Sequence, residues 1–252
     1  MLREALAELI TKMADDELIL GHRNSAWTGL GPILEEDIAF SSMAQDKIGH
    51  ALALYTLLRE LSGIKDMDHF AFGRQADQFK CCHLVEYPNG EYDFSLMRHF
   101  LFDAAETLRY ESLEDSSFEP LRQLSRKFRG ELKYHMLHGN TWVIQLGHGD
   151  EESHARMQGA LDACFPLAFG IFEQGNREAF LIDQQVYPGE RVLQERWLEK
   201  IYPVLVKASL NMPAPDLNPG TPGGRQGKHT VYFAPLLEEM SEVFRMDPET
   251  AW

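Results

Sequence analysis

The stretch Asp46-Lys47-Ile48-Gly49-His50 decides how this 252-residue chain is read. Around it, Phe40, Met43, Lys47, His50, Leu54, Leu57 and Leu61 step alternately by three and four residues. That spacing predicts a helix from about Ile33 to Leu61 with one seam turned to a core. Lys47 and His50 are the polar intruders on the seam, and Asp46 lies one position off it. Gly49 weakens a helix and is expected to admit a neighbouring helix closely. An echo follows 85 residues later, Glu131-Leu132-Lys133-Tyr134-His135. Each stretch places an acid four residues before a histidine.

The two stretches lie on the second and fourth of four long helices. Leu6, Ile10, Met13, Glu17 and Leu20 form a stripe on a first helix, Leu2 to about Arg23, with Glu17 its one polar member. Asp15 and Asp16 beside it are expected to face solvent. Asn24 to Pro32 breaks that helix with two glycines and a proline. A third helix, Phe94 to about Leu113, carries Asp103 on a stripe with Leu96, Phe100, Thr107 and Tyr110, and Glu106 on another. Asp103 is the better inward candidate. The fourth helix, about Glu119 to Leu146, shows Leu121, Leu124, Phe128, Leu132 and His135 on one stripe.

Residues 62–93 have weak periodicity and the turn signature Pro88-Asn89-Gly90. They fit the long crossover that ferritin-like bundles place between helices 2 and 3. Beyond residue 146 the pattern predicts helices over about Glu151 to Phe172, interrupted near Pro166, and Glu190 to Leu210, broken by Pro203. A short one follows over Phe233 to Phe244. Residues 211–227 hold four prolines and four glycines and read either as a surface loop or as a partner-docking arm. The expected architecture is all-α. It is a single ferritin-like domain over 1–252, with the core bundle in 1–146 and additional helices and a C-terminal extension in 147–252.

Composition narrows the function classes. The net charge of −15 argues against nucleic acid. No run reaches the ~20 apolar residues of a membrane span. The N-terminus reads as a helix start and not a signal peptide. Cys81, Cys82 and Cys164 are expected to be reduced thiols in a cytoplasmic protein. With no second Cys/His pair at zinc-finger spacing, no zinc site is expected. There is no phosphate loop and no Gly-x-Ser-x-Gly motif.

Di-iron bundles take one Glu from each of two helices and Glu-x-x-His from each of two others. The three-residue spacing puts both ligands on one helix face. Here Glu17, His50, Asp103 and His135 occur in that helix order, but Lys47 and Leu132 stand where the Glu of each pair belongs. A charged lysine has no lone pair for a metal, and it offers Glu17 or Asp103 an ion pair instead. Asp46 and Glu131 lie about 100° from the lost ligand position. They are expected to orient a histidine or to sit exposed. The expected site is therefore a pseudo-metal core of Glu17, Lys47, His50, Asp103, Leu132 and His135, with no metal and no catalytic residue.

Beside this reading stands a resemblance that covers the whole length. Its carriers are Gln78-Phe79 with Leu84-Val85-Glu86-Tyr87-Pro88-Asn89-Gly90, Glu131-x-x-Tyr134-His135, Gly227-Lys228-His229-Thr230, Pro235-x-Leu237-x-Glu239-Met240 and the final Trp252. On these the chain resembles the phenylacetic acid catabolism proteins, ferritin-like subunits of the bacterial phenylacetyl-CoA epoxidase, and among them the structural subunits. The catalytic subunits carry Asp-Glu-Ala-Gly-His where this chain has Asp46 to His50. The resemblance implies a subunit without cofactor, paired with a catalytic di-iron subunit. That complex adds one oxygen atom of O2 to the ring of phenylacetyl-CoA, with electrons from an NADPH-dependent reductase. The competing expectation is a di-iron oxygenase or oxidase in its own right, using Asp46, His50, Glu131 and His135 with Glu17 and Asp103.

Overall fold

A computed structural model describes residues 1–214 and 223–250, and every element in them is helical. The helices are α1 (Leu2–Ser25), α2 (Leu34–Ser62), α3 (Met67–Phe72), α4 (His83–Glu86), α5 (Tyr92–Leu113) and α6 (Glu119–Gly147). They continue with α7 (Glu151–Ala168), α8 (Glu178–Asp183), α9 (Glu190–Lys207), α10 (Phe233–Met240) and α11 (Glu242–Met246). Of the segment 211–227, read either as a surface loop or as a partner-docking arm, residues 215–222 lie outside the described residues, as does Trp252.

The long helices pair as their apolar stripes require. α1 packs along α2 and α5 along α6, whereas α2 meets α6 over a much shorter stretch. Gly21 of α1 makes the first pairing tight. A Cβ there would stand 2.8 Å from Ile48 Cδ1 and 3.3 Å from the Ala44 carbonyl. Gly49, expected to admit a neighbour, instead faces open space; it sits on the solvent side of α2, about 100° around the helix from His50.

One hydrophobic cluster runs from Ala5 of α1 to Leu236 of α10. Each fully buried Leu, Ile or Phe in it contributes about 1.5–3 kcal/mol. Trp197 of α9 is fully buried, stacks on Phe165 of α7 and donates its indole N–H to the Leu101 carbonyl of α5 at 2.9 Å. It thereby ties the added helices to the central four.

Asp15 and Asp16 do not face solvent; both are buried. Their carboxylates are the anchors for the connection between α2 and α5. Asp15 accepts from Arg74 Nη2 at 2.7 Å, Tyr55 Oη at 2.5 Å and the Lys80 amide at 2.6 Å. Asp16 accepts from the Cys82 amide at 2.7 Å and Arg225 Nη2 at 2.6 Å. Partners dozens of residues away offset part of the desolvation cost of burial, and at Asp16 burial still outweighs Arg225 and the Cys82 amide and holds the carboxyl above its ordinary range.

Two proline effects also differ from expectation. α7 continues through Pro166 to Ala168 before a 3₁₀ turn over Phe169–Phe172, and α9 continues through Pro203. A proline loses one helix hydrogen bond. The buried run Trp197, Ile201 and Leu205 on α9 holds the helix together across that gap. The C-terminal helix, by contrast, divides at Ser241 into α10 and α11.

Candidate functional site

The polar intruders meet in one buried layer. Lys47 Nζ of α2 lies 2.6 Å from Asp103 Oδ1 of α5 and 3.4 Å from Glu17 Oε2 of α1, and all three side chains are fully buried. The ammonium also sits 4.7 Å above the Phe102 ring, where the ring face attracts a cation. Burial pushes Lys47 toward its neutral form, but Asp103 and Glu17 outweigh it and hold its pKa above the ordinary value. On Asp103, His99 of α5 and then Lys47 reverse the burial effect and hold it well below the usual carboxylate range; on Glu17, Lys47 and then His50 reverse it, and its pKa is lowered.

The two histidines exchange partners between helices. His50 of α2 meets Glu131 of α6 at 2.7 Å through Nε2. His135 of α6 meets Asp46 of α2 at 3.0 Å through Nε2. The other ring nitrogens turn inward: His50 Nδ1 lies 3.5 Å from Glu17 Oε1 and His135 Nδ1 lies 3.4 Å from Asp103 Oδ2. These inner contacts are close enough for ion pairs but are not aligned as hydrogen bonds. Burial lowers both histidines, yet two flanking carboxylates apiece leave each raised above the ordinary value. Glu131 and Asp46 stand at the open side, with side chains 42% and 25% exposed. Phe128 covers the face of His50, with ring centroids 3.9 Å apart.

Leu132 is buried apolar core. Asp103 and Glu106 are both buried, on different duties. Asp103 serves the lysine layer, whereas Glu106 accepts from Arg109 Nε at 2.9 Å. Arg109 continues to Glu190 of α9 at 2.5 and 3.0 Å, and Lys12 of α1 also pairs with Glu190. Burial pushes Glu106 up to about 7, while Arg109 and Lys12 overcome burial at Glu190 and draw it down to about 2.

Several participants escaped the sequence reading. His99 precedes Asp103 by four residues, one turn along α5, and its Nδ1 lies 2.9 Å from Asp103 Oδ2. Burial draws His99 down to about 4, so it is neutral at pH 7. His138 follows His135 by three residues and meets Glu36 at 2.7 Å, and Tyr92 Oη shares that carboxylate. Helical spacing from the identified residues was the signal for His99 and His138. Glu36 carried none, because its partners come from other helices.

Glu17, His50, Asp103 and His135 do not gather as a metal cluster. Among the described residues, the three metal-capable side chains whose donor atoms all lie within 4.8 Å of one another are Cys81, Glu86 and His229. In the lysine layer an ammonium without a lone pair fills the space between the two inner carboxylates. These donors, as placed, do not fit a pair of metal ions.

Fold and site together define a class: an all-helical, ferritin-like bundle whose carboxylate–histidine core is closed by an ion-pair network. The profile of the phenylacetic acid catabolic protein family matches residues 1–252, and the chain belongs to that family. It is similar to the C component of the 1,2-phenylacetyl-CoA epoxidase of Escherichia coli (strain K12). The two are 29% identical over 241 residues, which covers 96% of each chain. No helix of the described residues is long and apolar enough to cross a membrane.

Proposed function

We propose that this chain is a non-catalytic structural subunit of a phenylacetyl-CoA epoxidase in aerobic phenylacetate degradation. It holds no iron. Its partner is a ferritin-like catalytic subunit that carries the di-iron centre and receives electrons from a reductase. The observation that carries this reading is Lys47 Nζ, seated between Glu17 and Asp103 at 3.4 and 2.6 Å. A buried ammonium there repels a cation and already neutralises the charge a metal would need. The similarity to the C component of an epoxidase supports the assignment to that complex.

The direct test is metal analysis of the full chain after expression in iron-supplemented medium, with oxygen uptake measured under a chemical reductant. Less than about a tenth of an iron per chain and no oxygen uptake are expected. Two irons per chain with oxygen uptake would overturn the proposal in favour of an independent di-iron oxygenase. Co-expression with a catalytic partner should give a co-purifying pair whose epoxidation requires the partner's metal ligands. Activity that survives loss of those ligands would contradict the division of labour.

A further inference from the structure

Away from the lysine layer, two of the family-resembling motifs meet. The Leu84–Gly90 motif supplies Glu86, the Gly227–Thr230 motif supplies His229, and Cys81 lies against both. Cys81 Sγ is 3.9 Å from Glu86 Oε1 and 3.9 Å from His229 Nδ1, and those two atoms are 2.7 Å apart. Cys81 and Glu86 are fully buried.

The hydrogen bonding around His229 leaves this group one cation short. His229 Nε2 lies 3.2 Å from the Phe79 carbonyl, which only accepts, so Nε2 carries a proton. In the neutral ring Nδ1 is then a lone pair, aimed at a carboxylate oxygen at 2.7 Å. Two acceptors at that distance need a proton or a metal ion between them. A backbone carbonyl on the far nitrogen is also the usual support of a metal-binding histidine. The other Glu86 oxygen accepts from the Thr230 amide at 2.7 Å, which fixes the carboxylate.

The chain delivers His229 with little slack. A Cβ on Gly227 would stand 2.1 Å from the Asp77 carbonyl oxygen, and one on Gly224 2.2 Å from that of Cys81. Only glycine permits such backbone approach. Between them, Arg225 donates to the Lys80 carbonyl at 2.8 Å and to Asp16 at 2.6 Å. His229 also stacks on Phe233, with centroids 4.1 Å apart.

We propose that Cys81, Glu86 and His229 bind one Zn2+ ion that staples the C-terminal segment to the connection between α2 and α5. One thiolate, one imidazole and one carboxylate suit zinc, and a water completes the tetrahedron. Zinc–sulfur and zinc–nitrogen or –oxygen bonds of about 2.3 and 2.0–2.1 Å set tetrahedral edges of roughly 3.6 Å from sulfur and 3.3 Å between nitrogen and oxygen. The observed edges of 3.9, 3.9 and 2.7 Å reach these if Nδ1 and Oε1 part by about 0.6 Å and the sulfur moves about 0.3 Å closer to each. On binding, the Cys81 thiol proton and the proton between His229 and Glu86 go to solvent as bonds to zinc form. Nothing is oxidised or reduced. Zinc-finger spacing misses this site because its ligands come from segments more than 140 residues apart.

Co2+ is the probe, titrated into the full chain after chelator treatment and removal of the chelator. One Co2+ per chain, an intense near-ultraviolet thiolate-to-cobalt band, release of two protons and displacement by Zn2+ are expected. Cys81→Ser should lose the band, whereas Cys82→Ser and Cys164→Ser should keep it, with far-ultraviolet circular dichroism checking the fold. Absence of the band in the folded unsubstituted protein overturns the proposal whatever the variants do. So does a band that survives Cys81→Ser, or one that depends on Cys82 or Cys164. The site is independent of the structural-subunit reading, because neither the thiolate band nor the proton count reports on iron in the lysine layer.

Discussion

At four corresponding positions the α1–α2 half and the α5–α6 half of the bundle carry side chains matched in kind with one exception, and His99 beside Asp103 is an addition to the second half alone. One half offers Glu17 inside, then Asp46, Lys47 and His50. The other offers Asp103 inside, then Glu131, Leu132 and His135. Each histidine takes an inner acid from its own half and an outer acid from the other. The matched positions thus satisfy the imidazoles, and the unmatched one sets the charge. A single ammonium serves both inner carboxylates, so a second at position 132 would be surplus, and an apolar residue fills that place. The asymmetry follows from charge balance and does not make either half the weaker.

The largest expected effect comes from removing that ammonium. Lys47→Met keeps the length of the side chain but leaves Glu17 and Asp103 buried without their lysine. Breaking one partner out of a buried ion pair costs about 3–5 kcal/mol. Urea denaturation at pH 7 measures it. The loss should shrink as pH falls, because the stranded carboxylates accept protons in place of the lysine. A loss below about 1 kcal/mol would show that something other than Lys47 balances the two acids, and the comparison of halves would fail.

Much of this pattern was readable beforehand, for a physical reason. A helix presents one face every three or four residues, so a polar residue on an apolar stripe declares itself. Glu17, Lys47, His50, Asp103 and His135 were all legible in that way. The exchange of histidine partners was not, because it depends on the axial register of α2 against α6, which no single helix encodes. Asp15 and Asp16 were misread for the same reason. Their partners Arg74, Lys80, Cys82 and Arg225 lie in segments without periodicity. Gly49 shows the converse error, in which a small residue with no neighbour was assigned a packing role that Gly21 performs.

Leu132 gives the intermediate effect and tests whether its half contributes by packing alone. Leu132→Ala should cost about 2–4 kcal/mol, from lost transfer energy and a residual cavity beside Tyr110 and Met136. Leu132→Met should cost less than about 1.5 kcal/mol. Both losses should be the same at pH 5 and pH 7 in urea titrations, unlike that of Lys47→Met. A Leu132→Ala loss that changes strongly between those pH values would mean that position 132 shapes the charged layer, and the halves would be more alike than their sequences.

The smallest effects belong to the outer acids, and they break the comparison most selectively. Asp46→Asn removes one carboxylate from His135, and Glu131→Gln removes one from His50. Each should lower the pKa of its histidine across the helix pair and leave the histidine on its own helix nearly unmoved. Proton magnetic resonance titration of the imidazoles reads this directly. A folded pKa raised above the unfolded value near ~6.5 stabilises fully below that value and is lost as pH rises through the folded pKa. The parent protein should therefore lose stability from about pH 6.5 upward, and each variant should lose less over that range. Glu106, pushed up to about 7, adds a loss of the same sign, but it is common to parent and variant and cancels in the difference. Solvent reaches both outer acids, so each effect should stay near or below about 1 kcal/mol. The more exposed Glu131 should give less than Asp46. If Asp46→Asn instead moved His50, the partners would be paired within helices, and the crossed arrangement that unites the two halves would be wrong.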